Sequence, residues 1–256
     1  MSHSEFKMLE LTNISKSFTS GSAQPVPALD HFNLKLEKED FLVVIGPNGS
    51  GKSTLLNIIA GNLMPDSGKI LIDRKDFTRK QDYQRSGQIS RIFQNPLSGT
   101  SSELSILDNF RLAAIRSRSK GLKIGTGTQF RNKVKDHLSI LGLGLEEKIH
   151  SPAAALSGGQ RQAITLLMAT MDRSKILLMD EPAAALDPKT SEQVMGLADQ
   201  LIKEFRLVAI LITHNLRHAC SFGNRLIRME AGKIVSEYDQ NAKKQLSINE
   251  LQEGFV

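Results

Sequence analysis

The sequence predicts an α/β fold: a mainly parallel sheet, preceded by an antiparallel β subdomain and interrupted by an inserted α-helical subdomain. Three observations predict it. Leu9-Glu-Leu-Thr and Phe32-Asn-Leu-Lys-Leu place apolar side chains at every second position, the mark of half-buried antiparallel strands. Phe41-Leu-Val-Val-Ile, Ile176-Leu-Leu-Met and Val208-Ala-Ile-Leu-Ile are instead continuously apolar, as expected of strands covered on both faces. Residues 106–171 read mostly as helix with glycine-rich breaks, and a further helical stretch, 191–205, separates two of the apolar runs. Strands alternating with helices imply parallel pairing. The 256 residues are read as a single domain, with about 95–172 as the helical insertion.

Taken in order, the stretch Thr19 to Pro27 is loop chemistry, because two prolines and a Gly-Ser cluster cannot continue a central strand. The apolar run ending at Ile45 enters a glycine-rich turn, then a helix carrying Leu55, Leu56, Ile58, Ile59 and Ala60. That helix should stop at Gly61, with Pro65 barring continuation. Gly68-Lys-Ile-Leu-Ile-Asp and Ile89-Ser-Arg-Ile-Phe-Gln read as strands. Near the end, 225–235 holds two short strands around a Glu-Ala-Gly-Lys turn, followed by polar helix or loop to Val256. No internal repeat or low-complexity tract is present.

Composition excludes several classes. With 40% hydrophobic and 23% charged residues the chain is ordinary globular material. One cysteine forms neither an internal disulfide nor a four-cysteine zinc site, which makes a reducing, cytoplasmic setting the expectation. No apolar run reaches the roughly 18 to 20 residues that cross a bilayer as a helix, and the first residues show no secretory signal. The net charge of +6 (33 Lys+Arg against 27 Asp+Glu) is spread among acids without interleaved aromatics, so no nucleic-acid partner is expected. Arg111, Arg116, Arg118, Lys120 and Lys123 form an acid-free stretch, read as a solvated helix face and loop rather than a contact for anionic lipid or a partner.

Three segments carry chemistry. Gly46, Pro47, Asn48, Gly49, Ser50, Gly51, Lys52 and Ser53 match the G-x-x-x-x-G-K-S phosphate loop, in the confirming position between a buried strand and a helix that continues with Thr54. Glycines let backbone N–H groups close on phosphate oxygens, and the positive helix end adds to the field. Lys52 should reach the β- and γ-phosphates and the Ser53 hydroxyl should ligate Mg²⁺. Asp180 and Glu181 end an apolar strand; the first can hold Mg²⁺ and the second can orient or deprotonate an attacking water. In Leu156-Ser-Gly-Gly-Gln160, Ser157 and Gln160 form a capping box for a helix whose apolar face is Ala163, Leu166, Leu167 and Thr170. Two glycines just inside a helix, each costing up to about 1 kcal/mol, suggest that bare N–H groups there meet an anion.

Together with Gln94, Ala185-Leu-Asp187 and His214, in this order over nearly the whole chain, these segments resemble the nucleotide-binding subunit of an ABC transporter. The resemblance implies the ABC ATPase fold, ATP hydrolysis with Mg²⁺, and a head-to-tail dimer, homodimeric or with a related ATPase. In it each ATP lies between one subunit's phosphate loop and the Ser157, Gly158, Gly159 and Gln160 segment of the other. It implies that Gln94 contacts Mg²⁺ and water, that Glu181 is the catalytic carboxylate, that Asp187 couples the two sites, and that His214 contacts the γ-phosphate. Phe18 stands where the family stacks an aromatic on adenine, although Phe6 and Phe32 are also near the N-terminus. The segments Arg91 to Thr100, Arg161 to Thr170 and Thr213 to Ala219 further resemble a bacterial importer branch labelled with tryptophan, tyrosine or related uptake. Integral-membrane permease subunits, a separate substrate-binding protein and a peripheral place on the cytoplasmic face of the membrane follow from that resemblance. A soluble ABC ATPase that remodels a protein or cofactor-assembly complex would carry the same residues. Ala183-Ala184 departs from the family, where Thr often follows Glu-Pro, but the following Ala-Leu-Asp is retained.

Overall fold

A computed structural model describes residues 7–19, 24–115, 125–171 and 174–253. In chain order the elements are β1 (Lys7–Phe18), β2 (Val26–Glu37), β3 (Phe41–Ile45), α1 (Lys52–Ala60), β4 (Ser67–Ile72), β5 (Lys75–Asp76), α2 (Asp82–Arg85) and β6 (Ile89–Ile92). The helical segment follows as α3 (Ile106–Ile115), α4 (Thr128–Ser139) and α5 (Gly158–Thr170), with short 3₁₀ turns before α3 and between α4 and α5. Then come β7 (Ile176–Asp180), α6 (Pro188–Glu204), β8 (Val208–Ile212), α7 (Leu216–Ser221), β9 (Arg225–Glu230), β10 (Lys233–Tyr238), α8 (Gln240–Gln245) and α9 (Ile248–Glu253).

Two sheets result. The antiparallel one has the order β2-β1-β4-β5, and the larger one the order β10-β9-β3-β8-β7-β6, parallel except for the β9–β10 hairpin. Side chains of the central strands alternate between two cores. Leu42, Val44, Ile176, Leu178, Val208, Ile210 and Ile212 pack with α1 and the antiparallel sheet. Phe41, Val43, Ile45, Leu177, Met179, Ala209 and Leu211 pack with α3, α5 and α6. This double covering is why these strands read as unbroken apolar runs.

Several boundaries differ from the sequence reading. Pro27 lies inside β2, which is tolerated because β2 is a sheet edge whose outer side needs no ladder donor. β6 ends at Ile92, so Gln94 lies in the loop beyond it. The 191–205 helix starts earlier, at Pro188, where Asp187 caps it and proline is favourable in the first turn. α5 is not amphipathic: every residue from Arg161 to Ala169 is buried, the polar ones through hydrogen bonds such as Arg161 Nη2 to Ala153 O at 2.7 Å. Gly61 does stop α1, in the left-handed conformation expected of a terminating glycine. Of the basic stretch, Arg116, Arg118, Lys120 and Lys123 lie outside the described residues, while the Arg111 guanidinium sits 5.6 Å from the Phe130 ring centre.

Candidate functional site

The parallel strands end together. Val44 and Asp180 both pair with Ile212, and Ile92 pairs with Met179, so the loops after β3, β6, β7 and β8 leave the sheet at one level. Ligands of open α/β sheets bind outside such carboxyl ends.

The loop after β3 is pressed against neighbouring backbone. A Cβ on Gly46 would lie 2.2 Å from Met229 O, and one on Gly51 2.2 Å from Ala28 O, so no side chain fits at either position. Gly51 is also left-handed, φ 98°, and opens α1 without a side-chain cap or an acidic residue in the first turn. The leading N–H groups of α1 therefore have no side-chain acceptor, and an anion complements them and the helix dipole. Lys52 folds under the loop, its Nζ donating to Gly46 O and Pro47 O, each at 2.8 Å. Burial pushes the Lys52 ammonium below its ordinary pKa, while the Glu181 and Asp180 charges pull it back up. Pro47, Asn48, Gly49 and Ser53 are exposed around this cradle, Thr54 is half-buried and Ser50 is buried. The chemistry suits a polyphosphate: amide donors, one ammonium and an accessible hydroxyl.

Asp180 ends β7 and accepts from Arg91 Nη2 at 3.0 Å. Glu181 has φ 47°, a left-handed conformation that is costly for a residue with a Cβ. It is held there by a backbone bond from Glu181 N to Ile212 O, 3.0 Å, and its Oε1 lies 2.7 Å from His214 Nε2. The structure thus brings Glu181 and His214 together across adjacent strand ends. They line a cavity of about 570 Å³ with Leu186, Arg217 and His218. Gln94 is exposed, two residues beyond β6 on the Asp180 side of the sheet. Ser53 offers a hydroxyl, Gln94 an amide oxygen and Asp180 a carboxylate, oxygen donors of the kind that suit Mg²⁺.

Ser157 to Gln160 sit on another surface. The capping box is formed: Ser157 N donates to Gln160 Oε1 at 3.1 Å and Gln160 N to Ser157 Oγ at 3.2 Å. Gly159 has a packing role that the sequence reading missed, because a Cβ there would lie 2.2 Å from Thr190 Cγ2. Thr190 N in turn donates to Asp187 Oδ1 at 3.1 Å, so Asp187 is tied locally to the start of α6. Gly158, in contrast, is exposed.

Phe32 is buried in the antiparallel-sheet core and Phe6 lies outside the described residues, whereas the Phe18 ring is 47% exposed. Phe18 pairs across the β1–β2 ladder with the exposed Val26, another residue that the sequence reading did not single out. Nor does residue order single out Arg91, because its reach to Asp180 spans 89 residues of sequence.

The ABC transporter family model matches residues 29–184, from β2 through the residues just after Glu181. The chain belongs to the ABC transporter family. As an ABC ATP-binding protein it is 36% identical over 248 residues to a tyrosine transport ATP-binding protein of Clostridioides difficile, covering 97% of this chain and 98% of the relative. It is 33% identical to a phosphonates import ATP-binding protein of Ruegeria sp., covering 89% of this chain and 88% of that protein. A solved ATP-binding cassette, a dimer described as a post-hydrolysis state with ADP and Pi, superposes with a TM-score of 0.77 at 30% identity, over 91% of this chain and 99% of that one. The ABC ATPase described here is accordingly an ATP-hydrolysing transporter subunit, and among its described residues no helix is long and apolar enough to cross a membrane.

Proposed function

We propose that this ABC ATPase powers a bacterial importer of a small solute such as an amino acid. Two copies, or one copy and a related ATPase, close head to tail around two ATP molecules and reopen after hydrolysis. The observation that carries the catalytic reading is the Glu181–His214 pair, 2.7 Å apart, at the sheet edge that also bears the phosphate loop. Import of a small solute is supported by the end-to-end likeness to the tyrosine transport protein.

In this reading the amides from Gly46 to Thr54 wrap the phosphates and Lys52 turns from its loop carbonyls to the β- and γ-oxygens. Ser53, Asp180 and Gln94 would hold Mg²⁺, which supplies charge neutralisation at the phosphate oxygens. Glu181 accepts the proton of the attacking water, and His214 orients that carboxylate and contacts the γ-phosphate. Phe18 stacks on adenine, with Val26 beside it. Ser157, Gly158, Gly159 and Gln160 present N–H groups and a hydroxyl to the ATP held by the other subunit, and Asp187 couples the two sites. Within about 95–172, the described helices α3, α4 and α5 belong to the helical subdomain inserted in the ATP-binding core. Permease subunits anchor the ATPase to the cytoplasmic face of the membrane, a separate binding protein supplies the solute, and no nucleic acid takes part.

Affinity purification of the tagged protein from detergent-solubilised native membranes tests the assembly. A polytopic membrane protein at fixed stoichiometry that raises ATP hydrolysis is the expected companion. Soluble companions alone, with no protein in the membrane fraction, would overturn transport in favour of a remodelling ATPase. Glu181→Gln should lower turnover by about a hundredfold or more while retaining ATP and trapping a dimer visible by size-exclusion chromatography. Ordinary turnover by that variant would remove Glu181 from its role.

A further inference from the structure

Arg91 stands on β6 opposite Leu178, and its guanidinium reaches diagonally across to the end of the neighbouring strand. Nη2 donates to Asp180 Oδ2 at 3.0 Å, while Nη1 donates to Asn57 Oδ1 at 2.6 Å on α1. The guanidinium carbon lies 5.0 Å from the ring centre of Phe93, next to Gln94. The side chains of the ion pair are only 15% and 19% exposed, so water screens the pair weakly. One residue thereby touches the helix after the phosphate loop, the β7 carboxylate and the segment leading to Gln94. A tie between α1 and the sheet would account for the Asn57 bond, but not for placing a full positive charge on Asp180.

We infer that Arg91 is a positioning residue that holds one oxygen of Asp180 as its counterion and thereby weakens, and sets, the affinity of the nucleotide site for its divalent cation. The inference rests on the reading of Asp180 as a metal carboxylate. A guanidinium at hydrogen-bond distance orients the carboxylate and repels a dication placed on the same group. Removing the charge while keeping a hydrogen-bonding side chain should therefore tighten metal binding, whereas loss of mere scaffolding should loosen it.

The experiment is a Mn²⁺ titration of the full-length protein in complex with a non-hydrolysable ATP analogue, read by electron paramagnetic resonance. Arg91→Gln should lower the half-saturating Mn²⁺ concentration by about three- to tenfold, with melting by circular dichroism confirming a folded variant. Arg91→Lys, which keeps the charge, should stay within about twofold of the wild type. An unchanged or higher Mn²⁺ requirement in Arg91→Gln would overturn the inference, as would tightening in Arg91→Lys equal to that of the glutamine variant. Asp180→Asn separates the two ideas: it must weaken Mn²⁺ binding if the carboxylate is a ligand. If that variant binds Mn²⁺ normally, the metal reading of Asp180 fails and this inference with it. If it weakens binding while Arg91→Gln has no effect, only the role of Arg91 falls.

Discussion

Two helix N-termini in this molecule meet the same electrostatic problem in opposite ways. α1 begins after a left-handed glycine with no side-chain cap, on a loop pinned against the backbone of β2 and β9. α5 begins with Ser157 and Gln160 bonding each other's amides, exposed at the surface. The first leaves its donors for a ligand, and the second satisfies part of its own set. The difference teaches that the first N–H groups of α1 have no acceptor from a capping side chain, whereas α5 supplies part of its own; in the proposed function the anion completes the first and is an added contact, through exposed Ser157 and Gly158, at the second. The same contrast extends to the glycines: Gly46 and Gly51 make room for backbone within the cradle, while Gly159 makes room for α6.

The strongest way to break this contrast is Lys52→Ala. Loss of charge-assisted bonds worth about 1.5–3 kcal/mol should lower ATP affinity by roughly tenfold to a hundredfold, measured by equilibrium binding of a fluorescent ATP analogue. A smaller loss than that produced by Ser157→Ala in the same isolated protein would reverse the ranking of the two N-termini.

Gly159→Ala sharpens it next. Alanine is the better helix former, yet the crowding against Thr190 should destabilise the fold by about 1–2 kcal/mol, and Thr190→Ala in the same chain should recover most of the loss. Urea unfolding of the two single variants and the double variant reads the coupling directly; additivity would show that α5 and α6 do not need the close approach.

A smaller effect is expected of Ser157→Ala, which removes the cap: about 1 kcal/mol, or roughly 2–4 °C in the melting temperature. No corresponding penalty should follow from Gly51→Asn, because α1 has no side-chain cap to lose; that variant should instead suffer from the backbone contact at Ala28.

The smallest effect concerns the acid limb. The Asp187 carboxyl is held below its ordinary value of 3.8, chiefly by its bond with Thr190. A carboxylate depressed in the folded state contributes stability that is fully present above the unfolded value and lost as the pH falls through the folded one. Asp187→Asn should therefore lower the melting temperature slightly near neutrality, and that deficit should shrink below about pH 4, where the wild-type carboxyl is itself protonated. A deficit confined to acid pH would contradict the assignment.

Much of this was legible from residue order because it is local. The phosphate loop, the stop at Gly61, the capping box and the alternation of strand with helix all depend on residues within one or two turns of each other. Errors gathered where a distant partner decided: Pro27 survives in a strand because β2 is an edge, and α5 is buried all round because 3₁₀ turns, α3 and α6 cover it. The choice of Phe18 over Phe32 as an available aromatic likewise needed burial, which periodicity alone does not assign to single phenylalanines.

Residue types and spacings by themselves pointed to the α/β fold class and to a phosphate-loop reading of residues 46–53, since hydrophobic period, glycine placement and capping act over short range. Tertiary structure alone decided the pairs: Glu181 with His214, Asp180 with Arg91, Gly159 with Thr190. Such pairs arise where separate strands end at one level or where two helices press together, and that alignment is set by sheet register and core packing.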